Sequence, residues 1–169
     1  GVGVLSLGVL AACGEADVQK VSSGNQKNEQ AEKEEKKPEV YHIGDTVSVD
    51  GMEITLKSAK FTNPNQYVET KNGKVLMIEV QAKNNGETNA LIDNTEFSIA
   101  DASGNQFEQY YGFDDASSFS HDLKKGNQVQ EKIAFDVKEA DKYILYYEPM
   151  FTLKENAEIK FEISKNELQ

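Results

Sequence analysis

The sequence has no arginine, no tryptophan and a single cysteine among its 169 residues. Nucleic-acid binding is not expected, because affinity for phosphates comes from clustered cations and here 29 acidic residues stand against 18 lysines. The missing arginine also removes the side chain that recognises phosphate and carboxylate groups with two parallel hydrogen bonds. Because Cys13 has no second cysteine to pair with, no intramolecular disulfide can form, and the folded part must be stabilised by its core alone.

The first residues form an apolar segment without charge. Residues 1–12 read GVGVLSLGVLAA, a run too short to cross a bilayer as a helix, which needs about 20 apolar residues. The run is typical of the hydrophobic region of a secretory signal peptide. Since no methionine and no basic region precede it, we expect residues 1–12 to be the remnant of a signal peptide that is truncated at its start.

The apolar segment ends in Leu10-Ala11-Ala12-Cys13-Gly14, which resembles the lipobox of bacterial lipoproteins. The resemblance implies cleavage before Cys13 and attachment of a diacylglycerol to its sulfur. Two or more acyl chains give stable membrane anchoring, whereas one chain is marginal. The expected location is therefore the outer face of the cell membrane, with the membrane as a partner through the lipid on Cys13. An ordinary signal peptide with an incidental cysteine is the alternative.

Residues 13–39 are predicted to form a disordered, charged tether that carries the lipid. Between positions 14 and 39, Val18 and Val21 are the only branched apolar residues, so this segment cannot bury enough surface to offset its ordering entropy. As a flexible coil it would span about 28 Å and hold the domain clear of the lipid headgroups. A partner-binding charged arm is the alternative interpretation.

Residues 40–169 are predicted to form one all-β domain. Asp50-Gly51 is a strong signal for a two-residue hairpin, and residues 76–82 alternate cleanly between apolar and polar side chains. The alternation slips at Ser58-Ala59, which indicates a β-bulge. About seven to eight short strands separated by turns, without a sustained helical period, favour an immunoglobulin-like antiparallel β-sandwich.

Several segments in order resemble those of the Gram-positive lipoprotein domains grouped as domain of unknown function 4352. These segments are residues 44–47, 76–86, 97–104, 123–126 and 135–137. The family is similar in turn to an immunoglobulin-like secreted mycobacterial antigen. The resemblance implies an immunoglobulin-like fold and an extracytoplasmic location, and it carries over no catalytic residue. Residues 139–143 also resemble the approach to the tyrosine corner of such domains, with Tyr143 as the tyrosine.

A short polar segment contains the only grouping of serine, histidine and acid, and its members are Ser117, Ser118, Ser120, His121 and Asp122. Nucleophilic catalysis needs such groups brought together by the fold beside an oxyanion hole, which neighbours in one loop rarely achieve. We therefore expect a polar loop, no catalytic residues and no enzyme, with a hydrolase as the least favoured function.

No cofactor or metal site is expected. Asp101, Ser103 and Asn105 alternate like the start of a calcium loop, but the glycine and the distal glutamate of such a loop are misplaced, so a hairpin turn is the better interpretation. With only two histidines and one cysteine, a closed zinc site is not expected either.

The candidate binding surface is an aromatic segment with two aspartates, and its residues are Tyr110, Tyr111, Phe113, Asp114 and Asp115. Tyrosine and phenylalanine in a loop supply large contact area at low entropy cost. The alternative is that these aromatic side chains plug one end of the sandwich. The leading function is a monomeric, non-enzymatic module that binds an unknown envelope or protein partner; the second is capture of a small ligand or metal.

Overall fold

The computed structural model describes residues 14–24 and 40–169, and this part of the chain is all-β, as predicted. Its twelve strands are β1 (Val18–Ser22), β2 (Tyr41–His42), β3 (Thr46–Val49), β4 (Met52–Thr62), β5 (Lys74–Asn84), β6 (Ala90–Asp93), β7 (Phe97–Asp101), β8 (Gln106–Phe107), β9 (Ser120–Leu123), β10 (Gln128–Val137), β11 (Lys142–Tyr147) and β12 (Ile159–Ser164). The expected number of seven to eight strands is too low, because the short strands β1, β2, β6 and β9 carry no clear alternation. No helix among these residues is long and apolar enough to cross a membrane.

Two five-stranded sheets pack face to face as a sandwich. The first has the order β1-β3-β4-β5-β10, and the second has the order β2-β12-β11-β7-β8, with β6 and β9 as a separate pair. All pairs are antiparallel except β2 with β12. The inner faces supply one continuous core, whose largest fully buried side chains include Tyr143, Tyr147, Phe135, Phe161, Met52 and Ile78.

The hairpin between β3 and β4 confirms the turn predicted at Asp50-Gly51. Both residues have positive φ angles, 48° and 88°, as a type I′ turn requires, and Val49 pairs with Met52. A Cβ atom on Gly51 would lie 2.5 Å from the Cα atom of Gly86, so the close approach of the next turn also demands glycine. In β4, the register with β5 shifts between Leu56 and Ser58, which confirms the predicted bulge.

The pairing of β5 with β10 forms the centre of the first sheet. Ile78 and Leu76 point into the core and lie opposite Ile133 and Phe135, as the alternation of residues 76–82 predicts. On the outer face of the same two strands, Val75 and Ala134 are also buried. That outer face must therefore be covered by another part of the chain.

The predicted tyrosine corner is confirmed. The Tyr143 hydroxyl donates to the carbonyl oxygen of Lys138 at 2.5 Å and accepts from the backbone N–H of Ala140 at 2.9 Å. These bonds fix the connection from β10 into β11. Burial raises the pKa of the Tyr143 hydroxyl above its usual value.

The predicted tether is corrected at residues 14–24, which pack onto the sandwich. Val18–Ser22 forms β1 and pairs with β3, and Ala16 is buried. The physical reason is that β3 would otherwise be an edge strand with unpaired backbone groups, and β1 satisfies them. Lys20 adds an ion pair with the buried Asp45 at 3.5 Å. The predicted signal remnant 1–12, Cys13 and residues 25–39 lie outside the described residues.

Candidate functional site

The candidate site lies where the chain crosses from one sheet to the other. After β8 has paired with β7, the backbone N–H of Asp136 in β10 donates to the carbonyl oxygen of Glu108 at 3.0 Å. The backbone N–H of Tyr110 then donates to the carbonyl oxygen of Ala134 at 2.7 Å. Segment 108–117 therefore runs along β10 and covers the outer face of the first sheet.

Tyr110 differs from its predicted role, because its side chain is only 3% exposed. Its ring packs in a small second core with Val75, Ala134 and Phe113, whose ring lies 5.4 Å away. A Cβ atom at position 112 would lie 2.3 Å from the Tyr110 ring, which explains why residue 112 is a glycine. Tyr110 is therefore a core residue beneath the predicted binding surface, and its side chain offers almost no contact area to a partner.

The Tyr110 hydroxyl organises loop 63–73, between β4 and β5. It donates to the carbonyl oxygen of Val68 at 2.6 Å and accepts from the backbone N–H of Asn65 at 2.8 Å. The other end of the loop is held by the buried Asp136, whose carboxylate accepts from the backbone N–H groups of Lys71 and Asn72 at 2.6 and 2.9 Å. The loop is therefore fixed at two points.

Between this loop and residues 106–111 lies an open groove of about 650 Å³, which we call the tyrosine groove. Its walls include Val68, Glu69, Lys71, Gln106, Glu108 and Tyr111. Tyr111 is 64% exposed, and Tyr67, next to Val68 in the fixed turn, is 84% exposed. Large aromatic side chains on a fixed backbone can bind a partner without much ordering cost.

One ion pair lies on the rim of the tyrosine groove. The Lys71 ammonium is 2.9 Å from a carboxylate oxygen of Glu108, and both side chains are well exposed. The hydrogen bond that the Lys71 ammonium donates to the Glu108 carboxylate raises the pKa of that ammonium. Exposed pairs of this kind contribute little to stability, so a partner could displace the bond at low cost.

The two predicted aspartates lie outside the walls of the groove. Asp114 and Asp115 are exposed, and Asp115 forms an ion pair with Lys132 at 2.8 Å, which lowers the pKa of the Asp115 carboxyl. The structure therefore brings Tyr111 to the groove but not these aspartates. Within residues 14–24 and 40–169, no group of three or more histidine, cysteine, aspartate or glutamate side chains is placed to hold a metal ion.

Ser117 and His121, from the predicted grouping of serine, histidine and acid, each have a structural partner. The buried Ser117 hydroxyl donates to the carbonyl oxygen of Ala134 and accepts from its N–H, at 3.1 and 2.8 Å. His121 Nε2 lies 2.6 Å from a carboxylate oxygen of Glu131. The predicted polar loop is corrected for residues 120–123, which form β9 and pair with β6.

The turn at residues 101–105 is the predicted hairpin turn. Asp101 accepts from the backbone N–H groups of Ser103 and Asn105, at 3.0 and 2.9 Å, and from the Asn105 side chain at 2.8 Å. These bonds lower the pKa of the Asp101 carboxyl. Asp101, Ser103 and Asn105 are therefore joined by hydrogen bonds within the turn.

Glu96 is a buried acid that the sequence did not single out. Its carboxylate accepts from the backbone N–H groups of Asp93 and Met150, at 2.6 and 2.7 Å. Burial raises the pKa of Glu96 to about 7, in spite of the two hydrogen bonds. The carboxylate joins the 3-10 turn Asn94–Glu96 to the connection between β11 and β12.

Loop 63–73 contributes to the groove, which was not predicted from the sequence. Val68, Glu69 and Lys71 of this loop are walls of the groove, and none of them is among the binding residues predicted from the sequence. A tyrosine and a valine in an otherwise polar loop were the available signal, since exposed large apolar side chains grouped together often mark interaction sites.

The family comparison identifies the class of the domain. The family described as "Domain of unknown function (DUF4352)" matches residues 41–167, and the chain belongs to this family. Among curated protein sequences, none matches the chain significantly.

Three solved structures share the fold. The candidate lipoprotein ycdA of Bacillus subtilis strain 168 is 19% identical with a TM-score of 0.60, over 69% of this chain and 37% of that chain. The yjhA protein of Bacillus subtilis is 17% identical with a TM-score of 0.56, over 77% of this chain and 100% of that chain. A candidate lipoprotein of Staphylococcus aureus NCTC 8325 is 12% identical with a TM-score of 0.54, over 76% of this chain and 94% of that chain. The chain spans little more than a third of ycdA.

Proposed function

We propose that this chain is an extracytoplasmic lipoprotein, anchored through lipid on Cys13, whose sandwich binds an envelope or protein partner without catalysing a reaction. The lipobox residues 10–14 support the anchor. Two of the structural relatives are described as candidate lipoproteins, which favours the same attachment for this chain. The tyrosine groove supports the binding role.

The groove is the observation that carries the binding proposal. Tyr67 and Tyr111 are the two most exposed aromatic side chains among the described residues, and both project from backbone that the buried Tyr110 holds in place. The groove is open, so its shape suits a segment of a macromolecule. The sandwich acts as a monomer in this proposal.

Capture of a small ligand is the second candidate. The groove volume of about 650 Å³ falls within the range of roughly 300–1,000 Å³ that small-molecule sites occupy. Native mass spectrometry of protein released gently from membranes would separate the two candidates. A bound mass that disappears in Tyr111→Ser would favour the small ligand.

Replacement of Cys13 by serine tests the anchor. We expect a fatty-acid analogue fed to the cells to label the wild-type protein and to leave Cys13→Ser unlabelled, because serine offers no thiolate for the thioether. A matched control is Ser22→Ala, in the exposed part of β1, which should be labelled like the wild type. Labelling that persists in Cys13→Ser would contradict the proposal.

Site-specific crosslinking on intact cells tests the groove. A photoreactive residue at position 111 is expected to capture one discrete partner, and Tyr67→Ser is expected to reduce that capture at least several-fold. The melting temperature should stay within a few degrees of the wild type, because both side chains are exposed.

The matched control for the crosslinking is position 146. Tyr146 is partly exposed on β11, lies under Lys160 and is not part of the groove. A photoreactive residue there should not capture the same partner. Equal capture at positions 111 and 146 would show that the groove is not the binding surface.

A further inference from the structure

The residues just before β1 are joined to the connection between β11 and β12. The backbone N–H of Glu155 donates to the carbonyl oxygen of Gly14 at 2.8 Å, and the N–H of Ala16 donates to the carbonyl oxygen of Glu155 at 3.0 Å. Gly14 is the residue that follows Cys13 directly in the sequence. The connection between β11 and β12 is therefore bonded to the residue that follows the proposed site of lipid attachment in the sequence.

That connection exposes apolar side chains at its tip. Residues 149–153 read PMFTL; Met150 is 52% exposed and Leu153 is fully exposed, at 101%. Phe151 between them is half-buried and packs against the core. A single exposed leucine would need no explanation, but here two exposed apolar side chains lie on the connection that is bonded to Gly14, the residue after the proposed lipid-carrying Cys13.

The tip is held in place at its base. The backbone N–H of Met150 donates to the Glu96 carboxylate at 2.7 Å. On the other side, the Thr152 hydroxyl and the Lys154 ammonium both donate to the Asp50 carboxylate at 3.3 Å. These contacts tie the apolar tip to the end of the sandwich that carries the turn between β3 and β4.

We propose that Met150 and Leu153 insert into the outer leaflet of the membrane that holds the lipid of Cys13. The inference rests on the proposed lipid anchor, and it adds an orientation: the end of the sandwich with the turn at Asp50-Gly51 faces the bilayer. Loop 63–73, with Tyr67, then lies at the opposite end, because β4 runs the length of the sandwich between the two.

The contact is apolar rather than electrostatic. The exposed side chains around the tip are mainly acidic and include Glu15, Asp17, Glu148, Glu155 and Glu158. Lys154, the cation in the connection, is paired with Asp50 at 3.3 Å. Attraction to anionic lipid would therefore be weak, and burial of the apolar side chains at the headgroup boundary has to supply the contact.

Fluorescence quenching in the lipidated full-length protein tests the insertion. Cys13 is the only cysteine, so once it carries lipid, Leu153→Cys supplies the only free thiol for an environment-sensitive fluorophore. In phosphatidylcholine–phosphatidylglycerol vesicles with spin-labelled lipid, we expect several-fold stronger quenching at position 153 than at Ala102→Cys. Ala102 is exposed in the turn between β7 and β8, at the opposite end of the sandwich.

Two further measurements sharpen the test. Met150→Ser, combined with the labelled Leu153→Cys, should weaken the quenching, because the second native apolar side chain of the proposed contact is then lost as well. Molar sodium chloride should leave the quenching unchanged. Protein that floats with the vesicles but shows equal quenching at positions 153 and 102 would overturn the insertion and leave the anchor standing. Protein that does not float with the vesicles would overturn the anchor and the insertion together.

Discussion

Tyr110→Ala is expected to lower the free energy of unfolding by about 3–5 kcal/mol, whereas Tyr111→Ala should lower it by less than about 0.5 kcal/mol. The two tyrosines are neighbours of the same size, but the first is 3% exposed and the second is 64% exposed. Removing the Tyr110 ring leaves a cavity against Val75 and Ala134. It also releases the backbone groups of residues 65 and 68 that the hydroxyl binds.

Denaturant unfolding followed by circular dichroism would measure both values. Tyr110→Phe separates the two parts of the effect, because it keeps the ring and removes only the hydroxyl; it should cost about 1–3 kcal/mol through the unpaired backbone groups. Equal stability of Tyr110→Ala and Tyr111→Ala would contradict the assignment of Tyr110 to the core. It would also reopen the possibility that both tyrosines contact a partner.

Ile78→Ala is expected to cost about 2–5 kcal/mol, because its side chain is fully buried at the centre of the first sheet. Its neighbour Glu79 has the opposite orientation on the same strand, is partly exposed and hydrogen-bonds to Gln130. Glu79→Ala should therefore cost under about 0.5 kcal/mol. A shift in melting temperature of several degrees for the first variant only is the expected result.

The same pair of variants tests the register of β5. A slip of one residue in a strand moves every side chain to the other face of the sheet. If Glu79→Ala were as destabilising as Ile78→Ala, the result would contradict the register in which Ile78 lies opposite Ile133.

The parts of the fold that the sequence predicts correctly are those with local causes. The turn at Asp50-Gly51 follows from two residues that tolerate positive φ. The orientation of Ile78 follows from the alternation within its own strand. The corner at Tyr143 follows from a tyrosine that lies three and five residues after its partners Ala140 and Lys138. In each case the information lies within a few residues of the feature.

The features that escaped prediction depend on distant parts of the chain. Val18–Ser22 is a strand because β3 offers an unpaired edge, and nothing in its own polar sequence shows that. Tyr110 and Tyr111 differ in burial because Tyr110 binds a turn that lies 42 to 45 residues earlier. The groove needs that turn and residues 106–111 together, so no single stretch of sequence could indicate it.

The position of β1 has a practical consequence for soluble preparations. A shortened chain that starts at residue 40 loses β1 and leaves the backbone groups of Thr46–Val49 without their partners on one side. Bare strand edges of this kind recruit strands from other molecules. Dimers or aggregates of such a chain would result from the loss of β1. Retaining residues 14–24 avoids this artefact.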